Sequence, residues 1–189
     1  MNREERISDD VLIEAFQKGE GHAASRLYYR YIDRVHRICY RIVLDHSQVK
    51  DCVQEVWQKV FRNLDRFQCG KSFPAWLNAI TVNTSIDFYR KTIRRGNHVN
   101  IEDFHVETLI AEEQTGRGVL EENRIQRMID RALQEISVSQ RTAFILRYYE
   151  DLTTAEIAKA LKCSEGTVRT HIRRSLLTLR DKLAVKLNR

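Results

Sequence analysis

The chain is poor in residues that break helices. Its 189 residues include one proline and seven glycines. That is too few for the many tight turns of a barrel or sandwich, so an all-α fold of long helices and short connections is expected. No run of about 18 apolar residues is present, which excludes a membrane-spanning helix. The start, Met1 to Arg6, mixes charges of both signs with no apolar stretch behind it, unlike a secretory signal. The four cysteines, Cys39, Cys52, Cys69 and Cys163, form no CxxC pair, a scatter that fits reduced thiols in the cytoplasm. His36 and Cys39 stand one helical turn apart, but no second pair of ligand spacing lies near them. Buried or incidental thiols are therefore the expectation, with no metal and no cofactor. No nucleophile–base arrangement and no phosphate-cradling glycine loop is legible, which argues against a hydrolase built on these groups and against a small-molecule substrate.

What the chain does have is 42% hydrophobic and 31% charged residues, the mixture of a folded protein, and a net charge of +6 that favours a polyanionic partner. Its length suffices for one ordinary domain or two small ones. Ser8 and Asp9 can cap a short helix carrying Val11, Leu12, Ala15 and Phe16, closed by Gly19. In the next helix Ala24, Leu27, Tyr28, Tyr31, Val35, Ile38, Cys39 and Ile42 recur at three- and four-residue steps. Residues 45–47 break that pattern, and Ser47 is the expected N-cap of a third helix with Val53, Val56, Trp57, Val60, Phe61 and Leu64 on one face. After a loop from Asp65 to Lys71, Ser72 is expected to cap a fourth helix with Pro74 in its first turn, running to about Arg95. Residues 96–122 hold seven acidic residues against Arg117 alone and have weak periodicity, as an acidic flexible linker would. Helical spacing returns with Ile125, Met128, Ile129, Leu133 and Ile136. Two small helical domains, 1–95 and 123–189, joined by the linker 96–122, are expected.

The second domain carries the sharper motif. Thr153 and Glu156 have the spacing of a capping box, ahead of a short helix with Ile157, Ala158 and Leu161 inward. Residues 162–164 make a tight turn, and Ser164 is placed to cap a longer helix with Val168, Ile172, Leu176 and Leu179 as its buried stripe. Opposite Ile172 lie Thr170, Arg173 and Arg174, flanked by Arg169 and His171. A short helix, a three-residue turn and a basic second helix form the helix-turn-helix geometry that enters the DNA major groove. There arginines take phosphates or fork to guanine, and a threonine suits a phosphate or a thymine methyl.

In the first domain, Asp51, Gln54, Glu55 and Gln58 line the face of the third helix opposite its apolar stripe. Such a face either docks a basic partner or is simply solvated. On the fourth helix Phe73, Trp76, Ile80 and Thr84 form one edge, Ala79, Val82, Ile86, Tyr89 and Ile93 another, and Asn83, Asp87, Arg90 and Arg94 the seam between them. Aromatic faces beside cations suit single-stranded nucleic acid. The same pattern also fits a core helix in which Asp87 pairs with Arg90 or Lys91.

Three runs together resemble one family, the extracytoplasmic-function sigma factors of bacterial RNA polymerase. Residues 51–61 (DCVQEVWQKVF) resemble its polymerase-docking helix, residues 73–91 (FPAWLNAITVNTSIDFYRK) its promoter-melting helix, and residues 152–174, with GTVRTHIRR inside them, its upstream-element reader. The resemblance implies a non-catalytic alternative sigma factor whose partners are core RNA polymerase, duplex and melted promoter DNA, and an anti-sigma factor that in some relatives is membrane-bound. It implies that Asp51, Gln54, Glu55 and Gln58 bind polymerase. Phe67, Gln68, Lys71, Ser72, Trp76, Asn83, Asp87 and Arg90 would then serve the −10 element and its melting, with a flipped base held by the loop from Phe67 to Ser72. Arg169, Thr170, His171, Arg173 and Arg174 would read the −35 element. Two departures matter: Ser164-Glu165 stand where the family often has a proline, and His171 where a permanently basic residue is frequent, so promoter preference does not carry over from relatives. A ligand-sensing repressor would share the C-terminal motif, but residues 1–95 resemble no effector pocket.

Overall fold

A computed structural model describes residues 7–94, 128–129 and 131–187. The acidic linker expected over 96–122, and Ile125 beyond it, lie outside the described residues. The longer helices of the described residues are α1 (Asp9–Gln17), α2 (Gly21–Val43), α3 (His46–Leu64), α4 (Phe73–Arg94), α5 (Val138–Tyr148), α6 (Thr154–Leu161) and α7 (Glu165–Leu187). Residues 131–134 are also helical. The fold is all-α, as the scarcity of chain-breakers implies. The chain divides into two compact units, Met1–Thr92 with Lys159–Lys162, and Ile93–Ala158 with Cys163–Arg189.

Local chemistry sets the helix ends of the N-terminal unit. The Ser8 hydroxyl accepts from the Val11 N–H at 3.3 Å, and Asp9 and Asp10 place negative charge in the first turn of α1. At the other end Gly19 takes φ +92°. The Gly19 and Glu20 N–H groups return to the Phe16 and Ala15 carbonyls at 2.9 and 3.0 Å, the pair of bonds that defines a Schellman close. Helix α2 ends on Leu44 in the left-handed region (φ 63°), which costs a non-glycine residue about 1–2 kcal/mol.

The expected cap of α3 is corrected. The helix begins at His46, and its N-cap is Asp45, whose carboxylate accepts from the Ser47 N–H at 3.1 Å and the Ser47 hydroxyl at 2.6 Å. The second carboxylate oxygen of Asp45 takes the Gln48 amide at 2.5 Å. A carboxylate two residues earlier thus occupies the position that the serine hydroxyl would have filled. The cap of α4 is as expected, with the Ala75 N–H on the Ser72 hydroxyl at 3.3 Å.

The core of this unit gathers Leu12 and Ile13 from α1, Leu27, Val35, Cys39 and Val43 from α2, Cys52, Val56, Trp57, Val60 and Leu64 from α3, and Phe73 and Leu77 from α4. Each large aliphatic side chain so buried contributes roughly 1.5–3 kcal/mol. Phe16, Phe61, Trp57 and Tyr28 run through it as a chain of ring contacts 5.0–6.3 Å apart. The thiols of Cys39 and Cys52 are buried 3.6 Å apart beside the Ser85 hydroxyl, and the hydrogen bond shared with Cys52, followed by burial, keeps the proton on Cys39 and pushes its thiol well up. His36 stacks on Tyr40. Among the described residues no group of three or more His, Cys, Asp or Glu comes together to hold a metal ion.

The C-terminal unit is held by Ala132, Leu133, Ile136, Phe144 and Leu179, with Ile129 and Tyr149 against them. Ser137 caps α5 through the Gln140 N–H. The expected stripe of α7 needs one correction. Val168 and Leu179 are buried and Ile172 is partly so, but Leu176 is 42% exposed and Ser175 is buried instead. At about 100° per residue, positions 168, 172, 175 and 179 cluster on one line while 176 falls some 70° away from it.

Candidate nucleic-acid and polymerase interfaces

The helix-turn-helix is built by its caps. The Glu156 carboxylate accepts from the Thr153 N–H at 2.8 Å, and the Thr153 hydroxyl accepts from the Glu156 N–H at 3.3 Å. This is the reciprocal box that the spacing predicts. The turn between α6 and α7 passes through Lys162 in the left-handed region (φ 52°). Ser164 then caps α7, its hydroxyl accepting from the Thr167 N–H at 3.1 Å. The Cβ of an alanine at Gly166 would meet only the Ser164 hydroxyl, at 3.7 Å, so that glycine is not forced by crowding. A contact not legible in sequence steadies the approach to the motif: Arg147 Nη1 donates to the Leu152 carbonyl at 3.0 Å.

The outward face of α7 carries Arg169, Thr170, Arg173 and Arg174, all exposed. Arg169 lies 3.7 Å from Glu165 one turn earlier, a surface pair worth a few tenths of a kcal/mol that leaves the guanidinium able to swing to a phosphate. The Thr170 hydroxyl donates to the Gly166 carbonyl at 3.0 Å. With its proton engaged there, this side chain offers a methyl group and an acceptor lone pair, which suits a thymine methyl better than a phosphate oxygen. His171 sits toward the buried side of the helix and is half-buried, with Nδ1 enclosed and unpaired. Burial, and then the Arg174 charge, push its pKa down, which favours the uncharged imidazole near neutral pH. Leu176 and Leu177, each 42% exposed, extend the same surface beyond Arg173.

In the N-terminal unit the connection between α3 and α4 is a fixed structure. Phe67 is buried, its ring 5.7 Å from Phe73 and 5.1 Å from Trp76. It therefore supports from beneath the loop that is expected to hold a flipped base. Phe73 is buried too and packs on Tyr31, so of this aromatic group Trp76 alone keeps a partly exposed ring. The Lys71 N–H bonds the Gln68 carbonyl at 3.3 Å, and Gly70 between them takes φ +85°, the positive value that the third residue of a type II turn requires. Gln68, Lys71 and Ser72 are exposed on this turn.

Along α4, Asn83 is half-buried and donates to the Ala79 carbonyl at 2.6 Å. Asp87 and Arg90 are exposed and 4.0 Å apart. The Asp87–Arg90 pairing expected of a core helix is therefore present, but at that distance and exposure it holds neither group firmly. Lys91 lies 5.4 Å over the Phe88 ring. On α3, Asp51, Gln54 and Gln58 are exposed while Val53, Val56, Trp57 and Val60 on the other side are buried. Glu55 is half-exposed and paired with Lys59 at 2.7 Å, whose ammonium also donates to the Thr84 hydroxyl at 3.1 Å. The four residues expected to bind polymerase thus share one solvent face, with Asp51 its most accessible carboxylate.

Sequence reasoning missed the role of α1. Gln17 and Asp10 bond backbone at the end of α3 and in the α3–α4 connection, 47 to 60 residues away in the chain. Nothing in their local pattern marks them.

Comparison with known proteins is consistent across both units. Residues 27–95 match the family model described as Sigma-70 region 2, and residues 126–179 the model described as Sigma-70, region 4. The chain is 29% identical over 184 residues to the ECF RNA polymerase sigma-E factor of Escherichia coli K12, covering 95% of this chain and 96% of that protein. It is 28% identical to the same-named factor of Haemophilus influenzae, covering 95% of this chain and 97% of the relative. Among solved structures, CnrH in complex with the cytosolic domain of CnrY matches with a TM-score of 0.67 at 21% identity, covering 94% of this chain and 97% of that one. The sigma factor RpoE of Bartonella quintana, in complex with the anti-sigma factor NepR, matches with a TM-score of 0.64 at 22% identity, covering 85% of this chain and 96% of that one.

Proposed function

The chain belongs to the extracytoplasmic-function sigma factors of the sigma-70 family, and from that premise we propose how its two units divide the work of an alternative sigma factor. It binds core RNA polymerase, directs it to promoters that carry an upstream and a start-proximal element, and promotes strand opening there. The observation that carries this reading is the pairing, in one chain, of a capped helix-turn-helix showing Arg169, Thr170, Arg173 and Arg174 to solvent with a second unit whose rigid turn shows Gln68, Lys71 and Ser72.

In this reading residues 123–189 hold the upstream element as duplex. The arginines of α7 take guanine edges or phosphates, Thr170 packs its methyl on a base, and His171 contributes shape instead of charge. Residues 1–95 perform two tasks on different helices. The polar face of α3 (Asp51, Gln54, Glu55, Gln58) grips a basic surface of polymerase. The turn before α4, with Trp76 beside it, receives a base of the start-proximal element once it leaves the stack, and Asn83, Asp87 and Arg90, further along α4, serve the opened strand. Extruding that base costs a few kcal/mol, which the shaped receptor offsets. Phe67 acts by holding the turn in place. The linker 96–122 tethers the units, so that binding of one raises the local concentration of the other at the same promoter.

The protein performs no bond chemistry of its own in this account and works beside polymerase in the cytoplasm. No helix among the described residues is long and apolar enough to cross a membrane. The two structural relatives were solved with the cytosolic domain of CnrY and with the anti-sigma factor NepR, and an anti-sigma factor is the corresponding partner proposed for this chain. Run-off transcription from fragmented genomic DNA with purified core polymerase tests the reading. Discrete transcripts that require the chain are expected, and identical products with and without it would refute the proposal.

A further inference from the structure

We infer that Gln17 and Asp10 of α1 are positioning residues that preorganise the base-receiving turn between α3 and α4. The inference rests on the reading of that turn given above and extends the machinery of strand opening to a helix with no part in it so far.

The last carbonyls of a helix have no intrahelical partner and must find donors elsewhere. Here the Gln17 amide nitrogen lies 3.1 Å from the Leu64 carbonyl, 3.3 Å from that of Asp65 and 2.9 Å from that of Phe67. One –NH2 group therefore ties the last residue of α3 to the first and third residues of the connection, Asp65 and Phe67. Three residues further on, the Asp10 carboxylate accepts from the Gly70 N–H, with both oxygens at 3.3 Å. Gly70 is the left-handed residue on which the turn depends. The turn is thus held at both ends by α1 and from beneath by the buried ring of Phe67.

Helix α1 is itself well anchored. Leu12 and Ile13 are in the core, and Asp9 accepts from Tyr31 and from Arg30, each at 2.5 Å. Arg30 also donates to the Ile7 carbonyl at 2.7 Å. A receptor fixed in this way before DNA arrives does not have to lose conformational freedom on binding, which is how preorganisation strengthens recognition. Side chains at Gln68, Lys71 and Ser72 can then meet an extruded base in a set geometry, while Gln17 and Asp10 never touch DNA.

The test uses holoenzyme reconstituted with core polymerase and two probes selected on the parent holoenzyme: a single-stranded DNA hexamer and an upstream-element duplex, each from a randomised pool. Holoenzymes carrying Gln17→Leu or Asp10→Ala are expected to bind the hexamer about fivefold or more weakly, the factor that goes with one ordinary hydrogen bond. Their duplex binding should stay within about twofold of the parent, which also shows that the chain has folded and docked. Asp10→Asn keeps a side-chain oxygen for the Gly70 N–H and should restore hexamer binding to within about twofold. Parent-like hexamer binding by both Gln17→Leu and Asp10→Ala overturns the brace. So does a loss of duplex binding in step with the hexamer, or an Asp10→Asn variant as weak as Asp10→Ala. A parent holoenzyme that enriches no hexamer, while still enriching a duplex, refutes the assignment of the turn, and the brace falls with it.

Discussion

Replacing Arg174 with alanine isolates what the recognition helix contributes. The side chain is exposed on α7, on the face away from Val168 and Leu179, and alanine is the better helix former. Folding stability should therefore change by less than about 0.5 kcal/mol. Binding should change far more. If the guanidinium forks to a guanine edge, its loss removes about 1–3 kcal/mol of discrimination, a drop of roughly 5- to 150-fold on the preferred duplex and a relaxed preference at one base pair. If it neutralises a phosphate, affinity falls about equally on all sequences, and the slope of log K against log salt becomes shallower by about 0.9. Titrating holoenzyme onto duplexes with every base substitution, at several salt concentrations, separates these outcomes. The same variant removes the charge that, after burial, holds the His171 pKa down, so the imidazole should titrate at higher pH by proton NMR. Unchanged affinity on every duplex at every salt concentration would refute the assignment of this face to DNA.

Other outcomes follow from the same geometry. Asp51→Ala with Glu55→Ala should weaken binding to core polymerase severalfold while sparing affinity for the upstream duplex; equal polymerase affinity in a pull-down titration would remove α3 as the docking helix. Gly70→Ala meets no atom within 4 Å but must hold φ near +85°, so urea unfolding should register a loss of about 1–2 kcal/mol from backbone strain alone. Thr153→Ala opens the capping box and should destabilise the C-terminal unit by about 1 kcal/mol, with upstream-element binding falling only as far as folding does. His171 has a folded pKa below its unfolded value, so the unfolded chain takes up its proton first as pH falls. Its contribution therefore favours the folded state above pH 6.5 and fades as acid takes pH down toward the lowered folded value. Thermal melts from pH 7.5 to 5 should show a smaller decline in His171→Gln than in the parent.

Much of this architecture is legible in the sequence because it is local. Helical spacing of apolar residues, Ser8, Ser72 and Ser164 as caps, and the Thr153–Glu156 box all act within a few residues of themselves, and each forms its expected bond. Competition between neighbours is less legible. Asp45 displaced Ser47 because a carboxylate two residues upstream reaches the same N–H, and a one-residue pattern cannot rank the two. The α7 stripe was misread at Leu176 because a four-residue step is 40° from a full turn, and successive steps drift off the buried line unless a three-residue step corrects them. The aromatic group around the start of α4 is not divided by sequence into core and surface, since Phe67, Phe73 and Trp76 share one character and differ only in what covers them. The bonds from Gln17 and Asp10 span about half the N-terminal unit's sequence, and only the packing of α1 beside the end of α3 reveals them.

Permanganate reactivity of promoter thymines gives the most direct test of the claim that one chain couples upstream-element recognition to strand opening. With holoenzyme on a promoter found by run-off transcription, thymines near the start site should become reactive, and Arg174→Ala should reduce that reactivity by lowering occupancy. Opening by core polymerase without the chain, or full reactivity in a holoenzyme whose chain lacks residues 123–189, would contradict the account.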